Sequence, residues 1–305
     1  MLGYAVVRIC SFLPSATEIL YALGLDDSIA GVTFECDYPP EARRKPIVVD
    51  SLLGHGLSSE EIDRRVSACS ASGESLYRVN AELMGQLAPD LIVTQELCDV
   101  CAVSTSHLLE SVQHLRIQPR VVSLTPHTLN DVWTDIEAVG EATGTGARAR
   151  ALATLLREQV EDVKLHRTQS APRVACLEWL QPPFNAGHWV PEMVALAGGV
   201  DVLGTVGIDS VRIRWEDVVA GQPDVILIMP CGYDLEGAVR EFRSTGFPDE
   251  WAQLPAVRTG RVYAVNATAY FSRPGPRLAT GAQIMSALLK GAHDEPLPAD
   301  SWARV

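Results

Sequence analysis

Four cysteines are the residues of this sequence most suited to chemistry. Cys98 and Cys101 form a Cys-x-x-Cys pair just after a predicted strand at residues 91–94, and Cys36 and Cys231 also follow predicted strands. Thiolates bind soft metals such as zinc, iron and cobalt, and a vicinal pair can act in redox exchange. Zinc sites usually add a second pair or histidines at fixed spacing. Three interpretations stay open for Cys36, Cys98 and Cys101: metal ligands, redox groups or small packing residues.

Sequence patterns of known enzyme classes are absent. The chain contains no nucleophile elbow, phosphate-binding loop, dinucleotide fingerprint or HExxH zinc motif. His107, His127 and His188 lack paired spacing, so each is predicted to be a surface or core residue. We therefore expect a protein that is not an enzyme and that requires no cofactor.

Composition excludes two kinds of partner. The net charge of the 305 residues is -13, whereas nucleic-acid binding needs clustered Lys and Arg. No apolar run approaches the roughly 18–20 residues of a membrane-spanning helix, so no membrane insertion is predicted. The expected partner is a small molecule, bound by a monomer.

The amino terminus and the cysteine count bear on location. Residues 1–7 (MLGYAVV) carry no Lys or Arg and are too short for a secretory signal, and the seven cysteines are an odd number scattered along the chain. These features predict a cytoplasmic protein. A periplasmic or extracellular location remains the alternative if a signal has been removed.

Strands and helices alternate along the chain, which is typical of parallel α/β sheets covered by helices. A different element follows at residues 145–167, where apolar residues recur at helical spacing over about 30 Å. We predict one long helix that joins two Rossmann-like α/β lobes. The predicted domains are an N-terminal lobe (1–142), the connecting helix (143–170) and a C-terminal lobe (171–305).

An internal repeat favours the two-lobe arrangement. The segment EILYALG at 18–24 corresponds to EMVALAG at 192–198, and each is followed by a short apolar strand. Further along, ELMGQLAPDLIV at 82–93 corresponds to EDVVAGQPDVIL at 216–227, with Glu, Pro and Asp at identical offsets. Two pairs in the same order indicate two similar lobes. Ligands of open α/β sheets bind beyond the carboxyl ends of the strands, so a ligand cleft is expected between the lobes.

Motifs spread over nearly the whole chain make the sequence similar to the helical-backbone (class III) solute-binding proteins of ABC importers for cobalamin and iron chelates. The motifs are RICSFLPSATE (8–18), CDYP (36–39), APDLIV (88–93), PPFNAG (182–187), LAGG (196–199), QPDVI (222–226), GRVYAV (260–265) and SRPGPR (272–277). The resemblance implies two α/β lobes held by one long helix.

The resemblance also implies which residues meet the ligand. Strand-end loops with apolar and aromatic walls suit a large, flat organic molecule. One surface glutamate per lobe, Glu82 and Glu216, would dock on an ABC permease if the protein is exported. The implied ligand contacts are Pro14, Tyr38, Gln95, Trp179, Phe184, Tyr233, Phe271 and Arg273.

The sequence departs from cobalamin-binding members at two tryptophan positions, which correspond to Gln95 and about Ser210, and by a polar insertion at 53–75. Cobalamin, haem, a siderophore or another chelate therefore all remain candidate ligands. The main prediction is binding of a corrinoid or related metal chelate in the cleft. The alternative is a cytoplasmic metal- or thiol-dependent redox protein that uses Cys36, Cys98 and Cys101.

Overall fold

The computed structural model describes residues 7–53, 57–72, 74–95, 118–168, 170–292 and 296–305. The chain divides into two compact units. The first comprises Met1–Pro126 and Asp131–Thr154, and the second comprises His127–Asn130 and Leu155–Val305. The predicted boundaries at residues 142 and 171 stay a prediction.

The first unit is built on a six-stranded sheet in the order β4-β3-β2-β1-β5-β6. All neighbouring strands are parallel except β4, which pairs antiparallel with β3. The strands are β1 (Ile9–Ser11), β2 (Ile29–Thr33), β3 (Ile47–Ser51), β4 (Tyr77–Val79), β5 (Leu91–Gln95) and β6 (Arg120–Leu124).

Helices connect these strands. Pro14 opens the first helix, where its fixed φ suits the first turn, and Asn80 caps the third by accepting a hydrogen bond from the backbone N–H of Leu83 at 3.0 Å. The α-helices in the described part of this unit are α1 (Pro14–Ala22), α2 (Ser59–Ser72), α3 (Ala81–Leu87), most of α4 (Leu129–Thr143) and the start of α5 (Gly146–Leu165).

The second unit contains another six-stranded sheet, ordered β12-β11-β10-β7-β8, with β9 also paired to β7. β7, β10 and β11 are parallel neighbours, whereas β8 and β12 are antiparallel edge strands. The strands are β7 (Arg173–Leu180), β8 (Pro183–Asn185), β9 (Val200–Asp201), β10 (Val225–Ile228), β11 (Val262–Val265) and β12 (Trp302–Arg304).

Six α-helices lie in the described part of the second unit. The longest, at residues 278–290, is buried along most of its length, as expected for a helix packed against a sheet. None of the helices in the described ranges combines the length and apolar character needed to cross a membrane. The six are α6 (Val190–Leu196), α7 (Trp215–Gly221), α8 (Leu235–Ser244), α9 (Pro255–Arg258), α10 (Ala267–Tyr270) and α11 (Leu278–Lys290).

The predicted long helix is present as α5, a continuous helix of 20 residues. Residues up to Thr154 belong to the first unit and residues from Leu155 to the second. Its buried positions include Ala153, Leu156 and Val160, which recur at the three- and four-residue spacing of one helical face. The apolar periodicity of the sequence therefore located this helix correctly.

The internal repeat is also a structural repeat. α3 and α7 both end in a left-handed residue, Ala88 at φ 42° and Gln222 at φ 42°, followed by Pro and Asp. The carboxylate of Asp90 accepts a hydrogen bond from the backbone N–H of Arg8 at 2.9 Å, and Asp224 accepts one from Arg173 at 2.9 Å. The same helix–turn–strand unit thus begins a central strand in each sheet.

Each unit has its own apolar core. In the first, Cys10, Met84 and Ile92 pack together with residues of β3. In the second, β7, β10 and β11 contribute fully buried residues that pack against α8 and the aromatic residue Trp251. Burial of both faces explains why these strands are short, continuous apolar runs in the sequence.

Candidate functional site

The carboxyl ends of β1, β2 and β5 lie at one edge of the first sheet, because these neighbouring strands are parallel. Pro14 opens α1 just after β1, Tyr38 follows β2, and Gln95 is the last residue of β5. The structure therefore brings these three predicted contacts to the same edge of the first unit.

Exposure distinguishes the three residues. Tyr38 is 46% exposed and offers a large aromatic surface, whereas Gln95 is 5% exposed and Pro14 is buried. In the first unit, the predicted contact with the most accessible surface is therefore the ring of Tyr38.

Cys36 lies near the same edge but is enclosed in a hydroxyl network. Its Sγ is 3.0 Å from Thr17 Oγ1 and 3.3 Å from Thr33 Oγ1, and the residue is 2% exposed. Thr17 also donates to Ser11 Oγ at 2.9 Å. This network ties the loop after β2 to α1, so the structure gives Cys36 a packing role. Its proposed partners Cys98 and Cys101 lie outside the described residues.

The second unit presents a matching edge at the carboxyl ends of β7, β10 and β11. Trp179 is near the end of β7, Tyr233 follows β10, and Phe271 and Arg273 follow β11. The structure places Tyr233, Phe271 and Arg273 after strand ends, as predicted, whereas Trp179 lies within the last residues of β7.

Trp179 and Tyr233 form an aromatic pair at this edge. Their ring centroids are 5.6 Å apart at an interplanar angle of 76°, the edge-to-face arrangement that aromatic pairs favour. Burial, reinforced by Glu241, raises the pKa of Tyr233 to about 12, so its phenol keeps its proton and can donate. The indole N–H of Trp179 is buried and has no hydrogen-bond partner among the described residues. The pair therefore combines an apolar wall with two polar donor groups.

Phe184 extends this aromatic group. It lies on β8 opposite Trp179, where cross-strand side chains share one face of the sheet. The guanidinium of Arg212 lies 5.6 Å from the centre of the Phe184 ring, and the two residues also form a β-bridge. Sequence reasoning missed Arg212, because no local pattern links it to a strand so far away along the chain.

Phe271 and Arg273 have different surroundings. Phe271 is 1% exposed, and its carbonyl accepts a hydrogen bond from the indole N–H of Trp189 at 2.8 Å. Its ring therefore forms part of the interior of the second unit. Arg273 is half-buried in the Pro- and Gly-rich loop before α11.

Glu82 and Glu216 occupy equivalent positions in the repeat. Each is the second residue of its helix, α3 or α7, and each is exposed. A glutamate in the first turn is stabilised by the helix dipole, which accounts for its presence there without a partner protein. Their docking role remains a prediction.

The structure assembles one cluster that sequence spacing did not reveal. His127 and His188 lie beside Asp209, with ligand atoms within 4.8 Å of one another. The three residues are far apart in sequence, so the fixed spacing that identifies zinc motifs is absent. They become neighbours only in the folded chain.

The remaining thiols give little support to a redox site. Among the described residues, Cys10, Cys36 and Cys176 are buried thiols that form no disulfide, and Cys69 and Cys231 are partly exposed thiols that form no disulfide. Burial raises the pKa of Cys10 to about 12 and keeps it a thiol, which is the unreactive form.

Comparison with known proteins identifies relatives over nearly the whole chain. The profile of a family described as "Periplasmic binding protein" matches residues 9–269. The vitamin B12-binding protein of Vibrio cholerae is 25% identical over 292 residues, covering 94% of this chain and 91% of that protein. An ABC transporter substrate-binding lipoprotein of Bacillus subtilis is 26% identical over 296 residues, covering 92% of this chain and 78% of that protein.

Solved structures share the fold. A periplasmic heme-binding protein from Pseudomonas aeruginosa superposes with a TM-score of 0.73 at 19% identity and covers 97% of both chains. The predicted two-lobe α/β fold is thereby confirmed.

The expectation of a cytoplasmic protein is wrong. The matching family is one of periplasmic binding proteins, and the Bacillus relative is a lipoprotein of an ABC transporter. Both place such proteins outside the cytoplasmic membrane. Of the five described thiols that form no disulfide, three are buried, and burial keeps a thiol reduced without a reducing compartment. The cysteine count was therefore a poor indicator of location.

Proposed function

Because the chain belongs to the periplasmic binding protein family, we propose that it binds a corrinoid or a related metal chelate as the substrate-binding component of an ABC importer. The family consists of solute-binding proteins rather than enzymes. The chelate is cargo, and the protein needs no resident cofactor for this function.

The observation that carries the proposal is the aromatic group formed by Trp179, Tyr233 and Phe184 at one sheet edge. Flat macrocycles bind well to aromatic walls, because the rings bury large apolar areas with little loss of side-chain freedom. The phenol of Tyr233 supplies a donor for polar groups on the rim of such a ligand. A small hydrophilic solute would gain little from this surface.

The same aromatic chemistry and the ligands named for the relatives support the proposed ligand class. The proteins most similar in sequence include one named for vitamin B12, and the structural relatives include one named for heme. Both ligands are large metal-containing macrocycles with one flat core. We infer that this chain takes a ligand of that shape, with a corrinoid as the first candidate.

We propose that strand-end loops of both units contact the ligand. Tyr38, Trp179, Phe184, Tyr233 and Arg273 offer accessible side-chain surface, and buried Pro14, Gln95 and Phe271 support those loops. Glu82 and Glu216 would then meet the permease, one from each unit. The chain acts outside the cytoplasm in this proposal.

Two tyrosines of the first unit test the ligand site. Tyr38 lies at the carboxyl edge of the sheet, whereas Tyr21 is in the last turn of α1, which leads back to the amino edge. We expect Tyr38→Ala to weaken binding about tenfold, roughly the value of one well-packed aromatic contact, and Tyr21→Ala to leave it unchanged. Absorbance titrations with cyanocobalamin, haemin and a ferric siderophore measure the dissociation constants.

The same titrations can refute the assignment of the site. Equal dissociation constants for the Tyr38→Ala and Tyr21→Ala proteins, with both variants folded by circular dichroism, would exclude Tyr38 from the binding surface. Binding of none of the three chelates by the unaltered chain would refute the ligand class.

A further inference from the structure

The cluster of His127, His188 and Asp209 lies within the second unit. Each side chain offers one atom that can ligate a metal, and the set combines two imidazoles with one carboxylate. Imidazole favours zinc, copper and nickel over magnesium and calcium. We propose that these three residues form a binding site for a divalent transition-metal ion.

The distances suit a shared ion. Nε2 of His188 is 3.3 Å from Oδ1 of Asp209, and Nδ1 of His127 is 3.7 Å from the same oxygen. Zinc bonds of 2.0–2.2 Å in a tetrahedral site place neighbouring ligand atoms about 3.4 Å apart. Small rotations of the exposed His127 and Asp209 side chains bring all three atoms to that separation. The fourth coordination position remains for water or another ligand.

The environment of His188 suits a metal ligand. Its side chain is 15% exposed, and its Nε2 is buried. Asp209 is close to Nε2, but the two groups are not aligned for a hydrogen bond. Nε2 therefore has no hydrogen-bond partner among the described residues. Buried polar atoms are rarely left without a partner, so this nitrogen needs an explanation. A metal ion bound between the two groups supplies one.

The backbone holds the loops of His188 and Asp209 together. The N–H of His188 donates to the carbonyl of Ile208 at 2.7 Å, and the N–H of Gly207 donates to the carbonyl of His188 at 2.9 Å. His188 has a positive φ of 54°, and a Cβ at the neighbouring Gly187 would collide with the backbone of Ser210. The close approach of the two loops therefore needs glycine and a left-handed residue at successive positions.

The third ligand is anchored separately. The segment of His127 is fixed by the backbone N–H of Leu129, which donates to the carboxylate of Glu192 on α6 at 2.8 Å. The rings of His127 and His188 face each other, with centroids 5.8 Å apart and planes inclined by 27°. The backbone segments of the ligands are thus already held in place before the ion binds, so little conformational entropy is lost on binding, which favours affinity.

The charge of the three side chains also suits a cation. The carboxylate of Asp209 offsets part of the charge of the ion.

The inference is independent of the proposed cargo. It concerns three side chains of one unit and a free metal ion, so it can hold or fail whether or not the chain binds a chelate.

Isothermal titration of the full chain with Zn²⁺ alone tests the site. Accessible thiols, which would compete for zinc, are first blocked with iodoacetamide. We expect one Zn²⁺ per chain, binding at least tenfold weaker in His127→Ala, in Asp209→Asn and in His188→Asn, which keeps a side chain that tolerates positive φ. Mg²⁺ should give no binding at the same concentration.

A second His–Asp pair provides the matched control. His166, the residue just after α5, lies 3.2 Å from Asp162 in the last turn of that helix, and both side chains are exposed. Among the described residues they offer two ligands but no third. His166→Ala should bind Zn²⁺ like the unaltered chain. Absence of Zn²⁺ binding, or equal affinity in the folded His127→Ala, Asp209→Asn and His166→Ala proteins, would overturn the proposal.

Discussion

Asp135 on α4 carries a carboxyl group that burial makes difficult to ionise. Desolvation, with a smaller effect from the nearby charge of Asp131, raises its pKa from 3.8 to about 7. One of its oxygens is buried without a hydrogen-bond partner among the described residues. The folded protein therefore holds this proton over a pH range in which the unfolded chain has lost it.

Asp135→Asn should change how the stability of the protein depends on pH. Because the pKa of Asp135 is raised in the folded state, the unaltered protein loses stability as pH rises from about 4 to about 7, and the neutral amide removes this loss. We expect the variant to gain about 1–2 kcal/mol relative to the unaltered chain between pH 5 and pH 8. Urea denaturation at both pH values measures the difference.

Glu158→Gln on α5 is the matched control, since Glu158 is exposed. Its stability should change with pH as that of the unaltered chain does. An Asp135→Asn protein with the same pH dependence as the control would show that Asp135 ionises normally.

At the residue scale, the sequence predicted the aromatic positions but not their environments. Tyr233 lies in a strand-end loop as predicted, whereas Trp179 lies near the carboxyl end of β7 and Phe184 lies in β8. Apolar strands and turn residues marked this region of the fold rather than the setting of each residue. Whether a ring faces solvent depends on packing, which is why Phe271 was predicted as a contact and is buried. The cluster of His127, His188 and Asp209 depends on contacts far apart in sequence and left no local pattern.

At the element scale, the clearest sequence evidence was the repeat around α3 and α7. The identical offsets in the two copies reflect one local geometry. A left-handed residue ends the helix, Pro prevents its continuation, and the Asp carboxylate accepts a hydrogen bond from the backbone at the start of the neighbouring strand. Strands β2 and β6 are recognisable in the sequence for a similar reason, since each is a short run rich in β-branched residues.

Elements without such signals were missed. The insertion at residues 53–75 contains helix α2, whose composition is polar and whose first turn is acidic. A helix that buries little apolar surface lacks the periodic pattern by which helices are predicted. The short edge strands β8 and β12 were also missed, because three residues carry no periodicity.

The equivalence of α3 and α7 makes a testable prediction about docking. Replacing Glu82 and Glu216 together by Lys should reduce uptake of the chelate by intact cells at least tenfold, because a permease surface that attracts glutamate would repel lysine. Chelate binding by the purified variant should stay within twofold of the unaltered chain. Radiolabelled uptake and absorbance titration measure the two properties.

The controls occupy the same helical position in other helices. Glu60 is the second residue of α2 and Glu236 is the second residue of α8, and both are exposed. The double variant Glu60→Lys and Glu236→Lys makes an equal change in net charge and should transport normally. Equal uptake by the two double variants would exclude docking through Glu82 and Glu216.

At the scale of the whole molecule, the fold was predictable and the location was not. Alternating strands and helices, one long helix and an internal repeat together indicated two α/β units, which the structure and the family both show. The monomeric state predicted from the sequence stays a prediction.

The cellular location of a protein depends on a targeting signal rather than on the packing of its fold. The cysteines of a folded domain reflect its packing, so their number misled on this point.

The central claim is that this chain carries a metal chelate as cargo, one molecule per chain. Its most direct test is gel filtration of the full chain after incubation with cyanocobalamin, haemin or a ferric siderophore, with the visible absorption of the protein peak recorded. We predict that one of these chelates co-elutes in a ratio of about one per chain, because an aromatic site of this kind holds a single flat ligand. A protein peak free of chelate absorption in all three experiments would contradict it.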